Sequence, residues 1–197
     1  MYVLFEGIDT CGKSTQIERV AQHFEKVIQT KEPGGTPFGV QARTMLLQDR
    51  LTSKRAELLL FLADRAEHYQ EVIHPNRNDK LILSDRGFLS GIGYALANGD
   101  FEFEHLMQLN RFALEGDFPD LIILFITDQT TLNQRLGDKA LDGIELRGIN
   151  YLLKVQEKMQ ESLERLDIPY LLIDAKAPIK QIEATITARI TQMLIDT

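Results

Sequence analysis

Tyr2-Val3-Leu4-Phe5-Glu6-Gly7-Ile8-Asp9-Thr10-Cys11-Gly12-Lys13-Ser14-Thr15 opens the chain and decides its architecture. An apolar run of strand length meets a glycine-bounded loop, and a helical pattern starts at Lys13. Gly7 to Ser14 fit G-x-x-x-x-G-K-[ST] in the strand–loop–helix context that the motif requires. Physically, the glycines let backbone N–H groups wrap a polyphosphate, and the helix start adds positive partial charge. Lys13 is expected at the β and γ phosphates, Ser14 at Mg²⁺, and Thr15 in local packing. Cys11 reads as a small packing residue, with a thiolate favoured by the helix start as the alternative. The motif points to a nucleoside triphosphate and leaves the reaction open.

Working outward, residues 2–5, 81–83, 121–126 and 170–173 read as strands, with 27–29 a weaker one. They are apolar without alternation, which predicts burial on both faces of a parallel sheet. Between them, 13–25, 38–48, 53–74, 102–115, 129–136, 149–166 and 179–194 carry helical patterns. Strand and helix in alternation imply right-handed crossovers and an α/β sandwich. Ligands of such sheets sit beyond the carboxyl ends of the strands. Two loops stand out there: Glu32-Pro33-Gly34-Gly35-Thr36-Pro37, and the glycine-rich 137–148, expected as a lid or an ordinary surface loop.

Composition narrows the class. Of 197 residues 44% are hydrophobic and 26% charged, enough to bury a core. A net charge of -7 argues against non-specific nucleic-acid binding and against anionic membranes. One cysteine excludes an internal disulfide and is compatible with a reducing cytoplasm. Apolar runs fall short of the ~20 residues of a membrane span, and the first residues show no signal-peptide pattern.

Ser84-Asp85-Arg86 follows a strand and so falls on the ligand edge. Arg86 offers a bidentate phosphate clamp and Asp85 a water-mediated hold on Mg²⁺; the alternative is that Ser84 and Asp85 cap a helix. Phe61 and Arg65 lie four apart, hence on one helical face. Lys13, Arg43, Arg65, Arg86, Arg135, Lys139 and Arg147 fall in or near these segments, and their convergence would place a basic cleft on an acidic protein. A guanine-reading N/T-K-x-D element is not found after 121–126, where Thr127-Asp128-Gln129-Thr130 stands.

Taken together, these stretches resemble the thymidylate kinase family, which phosphorylates dTMP. The markers are Phe5-Glu6-Gly7, Glu32-Pro33-Gly34-Gly35-Thr36, Leu59-Leu60-Phe61-Leu62-Ala63-Asp64-Arg65, Asp85-Arg86 with Ser90 and Tyr94, and Phe118-Pro119-Asp120-Leu121. The implied fold is α/β, a P-loop NTPase-type three-layer sandwich with a five-stranded parallel sheet flanked by helices. One domain over 1–197 with a short lid at 137–148 is expected. The resemblance implies that Asp9 contacts the acceptor's sugar region and that Glu32 and a cis Pro33 place neighbours at its phosphate. It implies further that Phe61 stacks on thymine, that Arg65 contacts base or acceptor, and that Arg86 bridges acceptor phosphate and reaction centre. Ser90 would face the base, Tyr94 would crowd a 2′-hydroxyl, Arg43 would face the acceptor, and Arg135 would lie on adenine. Thr10 stands where one branch of the family has a loop arginine, so lid cations Lys139 and Arg147 are the candidates here. Gly87 replaces a usual aromatic or histidine, Ala95 a common glutamine, and Gly143 aligns with a lid arginine.

The implied reaction moves the γ-phosphoryl of Mg-ATP to dTMP, giving dTDP and ADP for nucleotide biosynthesis in a cytoplasmic homodimer. The acceptor phosphate has a second pKa of about 6, so no general base is needed. The histidines (His23, His68, His74, His105) are then not required as catalysts, and they lack zinc-like spacing. Another nucleoside monophosphate kinase, a deoxynucleoside kinase, and a non-catalytic nucleotide-binding module are the alternatives. The apolar helices 38–48 and 53–74 are the candidate dimer surface.

Overall fold

A computed structural model describes residues 1–47, 51–136 and 148–196. Five parallel strands, β1 (Tyr2–Glu6), β2 (Val27–Lys31), β3 (Leu81–Asp85), β4 (Leu121–Ile126) and β5 (Tyr170–Asp174), lie in the order β2-β3-β1-β4-β5. In register, Leu4 faces Ser84 on one side and Ile122 on the other. The predicted sheet is therefore present, with β2 and β3 each reaching two residues further and β1 and β5 one. Only the three central strands are buried almost throughout; β2 and β5 are edges and partly exposed.

Strand period explains the two cores. Ile122 and Leu124 of β4 join the layer under α3 (Lys54–His68), α4 (Phe88–Asn98), α5 (Phe103–Ala113) and α7 (Ile149–Leu163). Their neighbours Leu121, Ile123 and Phe125 point the other way, toward α1 (Lys13–Ala21) and α8 (Ile179–Ile195). Each fully buried side chain of this size contributes about 1.5–3 kcal/mol. The remaining helices are α2 (Pro37–Leu47) and α6 (Gln129–Leu136).

Helix α4 is absent from the expectations above. Its glycines depress helix propensity, but tertiary packing requires them. A Cβ on Gly93 would lie 2.6 Å from Met159 Cγ and 3.2 Å from the Val155 carbonyl oxygen of α7, so α4 and α7 meet almost backbone to backbone. The capping alternative for Ser84 and Asp85 does not hold. Both belong to β3, and the N-cap of α4 is Gly87, without a side-chain cap. Helix α1 stops at Ala21 rather than 25: the N–H groups of Gln22, His23 and Phe24 reach back three residues instead of four, and Lys26 at φ 52 then leads into β2. The pattern over 53–74 starts as expected, Ser53 accepting from the Ala56 N–H at 3.3 Å. It then leaves α geometry for a π turn (Tyr69–Ile73) and a 3₁₀ turn (His74–Asn76).

The turn after β2 is fixed at both ends. Glu32–Pro33 is cis. Thr36 Oγ1 accepts from the Gly39 N–H at 2.9 Å and so caps α2, with Pro37 in its first turn. Asp64 of α3 accepts from the Gly34 N–H at 3.2 Å. Burial, reinforced by the Glu32 charge, raises the Asp64 pKa from 3.8 to about 6 against the opposing pull of Gly34, His68 and Arg65. Between those values the native protein binds more protons than the unfolded chain, so stability rises as pH falls through the window. Wild type should gain up to about 3 kcal/mol on Asp64→Asn between pH 7 and pH 4, as read by denaturant unfolding. Parallel curves for the two proteins would show that Asp64 titrates normally.

Candidate active site

At the carboxyl edge of the sheet the loop between β1 and α1 forms the expected cradle. Gly12 takes φ 94 and Gly7 φ 139. A Cβ on Gly7 would stand 2.7 Å from the Phe125 carbonyl oxygen, so the loop can run this close to β4 only with glycine there. Lys13 is buried, its Nζ donating to the carbonyls of Gly7 (3.1 Å) and Ile8 (3.0 Å). Ser14 Oγ donates to Asp85 Oδ2 at 2.5 Å, linking the first turn of α1 to the end of β3. Cys11 is buried with its sulfur packed toward Gly7, in keeping with a packing role. Thr15 lines the same cavity with Lys13, Ser14, Lys31, Arg43, Asp85 and Arg86.

A second cavity adjoins it between α2, α3 and α4. Asp9, Glu32, Arg43 and Arg86 line both, so a ligand in one is within reach of a ligand in the other. Phe61, Arg65, Ser90 and Tyr94 line the second, with Pro33, Gly87 and Ala95. Together with Asp9, Glu32, Arg43 and Arg86, all nine positions expected at the acceptor thus line this cavity.

Arg86 stands at the junction. Its backbone is in the left-handed region at φ 69, a conformation that costs a non-glycine residue about 1–2 kcal/mol. Nη1 donates to the Gly7 carbonyl (2.7 Å) and to Ser90 Oγ (3.0 Å), and Nη2 to Asp9 Oδ1 (2.7 Å). Burial alone would lower its pKa, but Tyr94, Asp9, Glu6 and Asp85 outweigh that and raise it, so it is fully charged. Its guanidinium also lies 6.0 Å from the Tyr94 ring centroid. Ser90, expected toward the base, lines the groove, but its hydroxyl donates to the buried Glu6 and accepts from Arg86. Burial raises the Glu6 pKa, with the Ser90 hydrogen bond and Arg86 pulling the other way.

Arg65 is buried. Its Nε donates to Glu32 Oε2 at 2.9 Å and its Nη1 to Asn110 Oδ1 at 2.7 Å. Burial opposes the Glu32 charge, yet Arg65 and His68 hold its pKa below the ordinary value. Arg43 donates to the Pro33 carbonyl at 3.2 Å. Arg135 spans the loop after β1 and the turn after β5, donating to Thr10 O (3.2 Å) and Ala175 O (2.6 Å). Lys139, Gly143 and Arg147, and with them the expected lid, lie outside the described residues.

The expected cations therefore meet in part, and carboxylates accompany them: Asp9, Glu32 and Asp85 line the same walls. Sequence reasoning passed over Lys31, which extends from the end of β2 into the first cavity, and His68, behind the second. Strand β2 was legible only to residue 29, so Lys31 had no assigned edge. The spacing Arg65–His68 was the available signal for His68, three residues apart on one face.

The Ser14 hydroxyl and Asp85 carboxylate form a small set of hard oxygen donors beside Lys13, fitting a magnesium ion that takes its other ligands from phosphate and water. No cluster of three or more His, Cys, Asp or Glu side chains that could hold a metal occurs among the described residues.

Comparison with known proteins agrees with this geometry. A family model for thymidylate kinase matches residues 5–186. The chain is 66% identical over 186 residues to a thymidylate kinase of Sulfurovum sp. (strain NBC37-1), covering 94% of this chain and 97% of that one. It is 54% identical over 189 residues to one of Campylobacter curvus (strain 525.92), with 94% and 97% covered. The fold matches a crystal structure of thymidylate kinase from Ehrlichia chaffeensis with a TM-score of 0.78 at 23% identity, over 96% and 98% of the two chains. On its loop, its paired cavities and its sequence alike, this chain belongs to the thymidylate kinase family.

Proposed function

We propose that the protein transfers the γ-phosphoryl group of ATP to dTMP, yielding dTDP and ADP. Family membership supports the reaction, and the carrying observation is the pair of adjoining cavities with Arg86 between them. ATP phosphates lie in the cradle of Gly7, Ile8, Asp9, Thr10, Cys11, Gly12, Lys13, Ser14 and Thr15, with Arg135 over the adenine. The acceptor lies in the second cavity, its base against Phe61 and Arg65, its sugar by Asp9 and Tyr94, and its phosphate near Glu32-Pro33, Arg43 and Arg86. Lys139 and Arg147 supply lid cations in this reading.

The acceptor phosphate is ionised at neutral pH and attacks without a general base. Protein groups align two polyanions and neutralise the charge between them. Lys13 holds the donor phosphates over the loop, and Arg86 holds the acceptor phosphate while facing the transferring group. Bound at Ser14 and Asp85, Mg²⁺ would supply electrostatic neutralisation of the donor oxygens.

A homodimer and a cytoplasmic setting complete the proposal. The outer faces of α2 and α3 expose Phe38, Val40, Met45 and Leu59, an apolar surface suited to self-association. No helix among the described residues is long and apolar enough to cross a membrane.

ADP release by the wild-type protein should require dTMP and exceed that with other monophosphates; release independent of dTMP overturns the reaction. Arg86→Ala should lower kcat about 10²–10³-fold while the KM for ATP moves less than about threefold. Unchanged turnover removes Arg86 from the chemistry. Tyr94→Ala should raise activity on ribonucleotide acceptors relative to deoxyribonucleotides, and an unchanged ratio places sugar selection elsewhere.

A further inference from the structure

Behind the acceptor cavity Glu32 and Arg65 continue into a buried polar chain whose far member, His68, the reaction above does not use. His68 is completely buried on α3, one turn beyond Arg65. Its Nδ1 lies 2.8 Å from Glu32 Oε1, and its Nε2 lies 2.6 Å from Thr30 Oγ1 on β2. The glycine turn presses on the ring: a Cβ on Gly35 would stand 2.6 Å from His68 Cδ2. Glu32, also buried, gives its other oxygen to Arg65 Nε.

The donor directions follow from the chemistry. Glu32 has its pKa lowered and is ionised, so its oxygens only accept. His68 Nδ1 must then carry a proton, and the Thr30 hydroxyl can satisfy Nε2 by donating to it. Without the Nδ1 proton, Oε1 of a buried carboxylate would have no donor, a large penalty that turning the carboxylate would relieve. That turn would carry Arg65 with it, since the guanidinium plane is set by Glu32 and Asn110 together. It would also move Pro33, whose carbonyl accepts from Arg43.

We propose that His68 is a positioning residue for the acceptor: through its Nδ1–H it fixes the Glu32 carboxylate, which fixes Arg65 in the wall of the second cavity. The inference rests on the reading that this cavity takes dTMP. It assigns His68 no proton transfer and no contact with the reacting atoms.

Paired substitutions test it. In His68→Asn the amide nitrogen stands near the Nδ1 position and can still donate to Glu32. In His68→Gln it stands near Nε2 and leaves Glu32 Oε1 without that donor. Both lose the ring, so a merely structural role predicts equal damage. His68→Gln should raise the KM for dTMP about ten- to a hundredfold, with the KM for ATP moved less than about twofold, and His68→Asn should restore most of the loss. Equal losses in the two variants, or parallel losses for both substrates, overturn the proposal. Should either variant fail to fold, ¹⁵N–¹H correlation of the wild-type imidazole decides: a proton on Nδ1 supports the assignment and a bare Nδ1 ends it. Wild type that turns over dTMP secures the underlying reading, so failure of the variants then counts against His68 alone. A wild type that does not bind dTMP overturns both.

Discussion

Arg86 has to stay charged while largely shielded from water where the two cavities meet, and much of the surrounding structure answers that demand. Desolvating a guanidinium is expensive unless its donors are filled. Here Gly7, Ser90 and Asp9 fill them, while Glu6 and Asp85 add negative charge nearby. The acceptors come from two elements, the loop after β1 through Gly7 and Asp9 and the start of α4 through Ser90, whose hydroxyl donates in turn to Glu6 at the end of β1. Register between β1 and β3 aligns Phe5 with Asp85 and so delivers Arg86 to the mouth of the loop. The left-handed backbone of Arg86 turns the chain from strand to helix at that point.

Local donor geometry matters more here than the overall field. The chain carries a net charge of -7, and even the cleft mixes Lys13, Arg43 and Arg86 with Asp9, Glu32 and Asp85. A mixed wall neutralises a polyanion through placed donors rather than through a broad positive potential. It also sets a carboxylate directly beside two of the arginines: Asp9 beside Arg86, Glu32 beside Arg65.

Much of this was legible in the sequence where the signal is local. The loop 7–14 is contiguous, and its glycines, lysine and serine act on neighbouring atoms. The central strands are continuous apolar runs because both faces are covered. Edge strand β2 was only half visible, since partial exposure admits Gln29, Thr30 and Lys31. Helix α4 was hidden by glycines whose purpose is contact with α7, information that lies in another part of the chain. The site followed the same rule. Phe61 with Arg65, and Asp85 with Arg86, are pairs visible by spacing. That Ser90 turns to Glu6 is a contact between residues far apart in sequence, which no local pattern carries.

Two arginines of the second cavity differ in how tightly their partners hold them, and in the proposed reading the difference suits different tasks. Arg65 and Glu32 are each 3% exposed at the side chain, a pair sealed from water on both sides. Separating it would strand a buried charge, so Arg65 keeps one orientation and is locally neutralised. Such a group suits the hydrogen-bonding edge of an uncharged ring. Arg86 and Asp9 are 15% and 29% exposed, and Asp9 sits on a loop. An arriving phosphate can take the place of that carboxylate at Nη2 with water covering the released oxygen, so the full charge of Arg86 becomes available where phosphoryl oxygens meet. In the proposed reading, one sealed pair and one exchangeable pair would distinguish the neutral end of a nucleotide from its charged end without any surplus of positive residues.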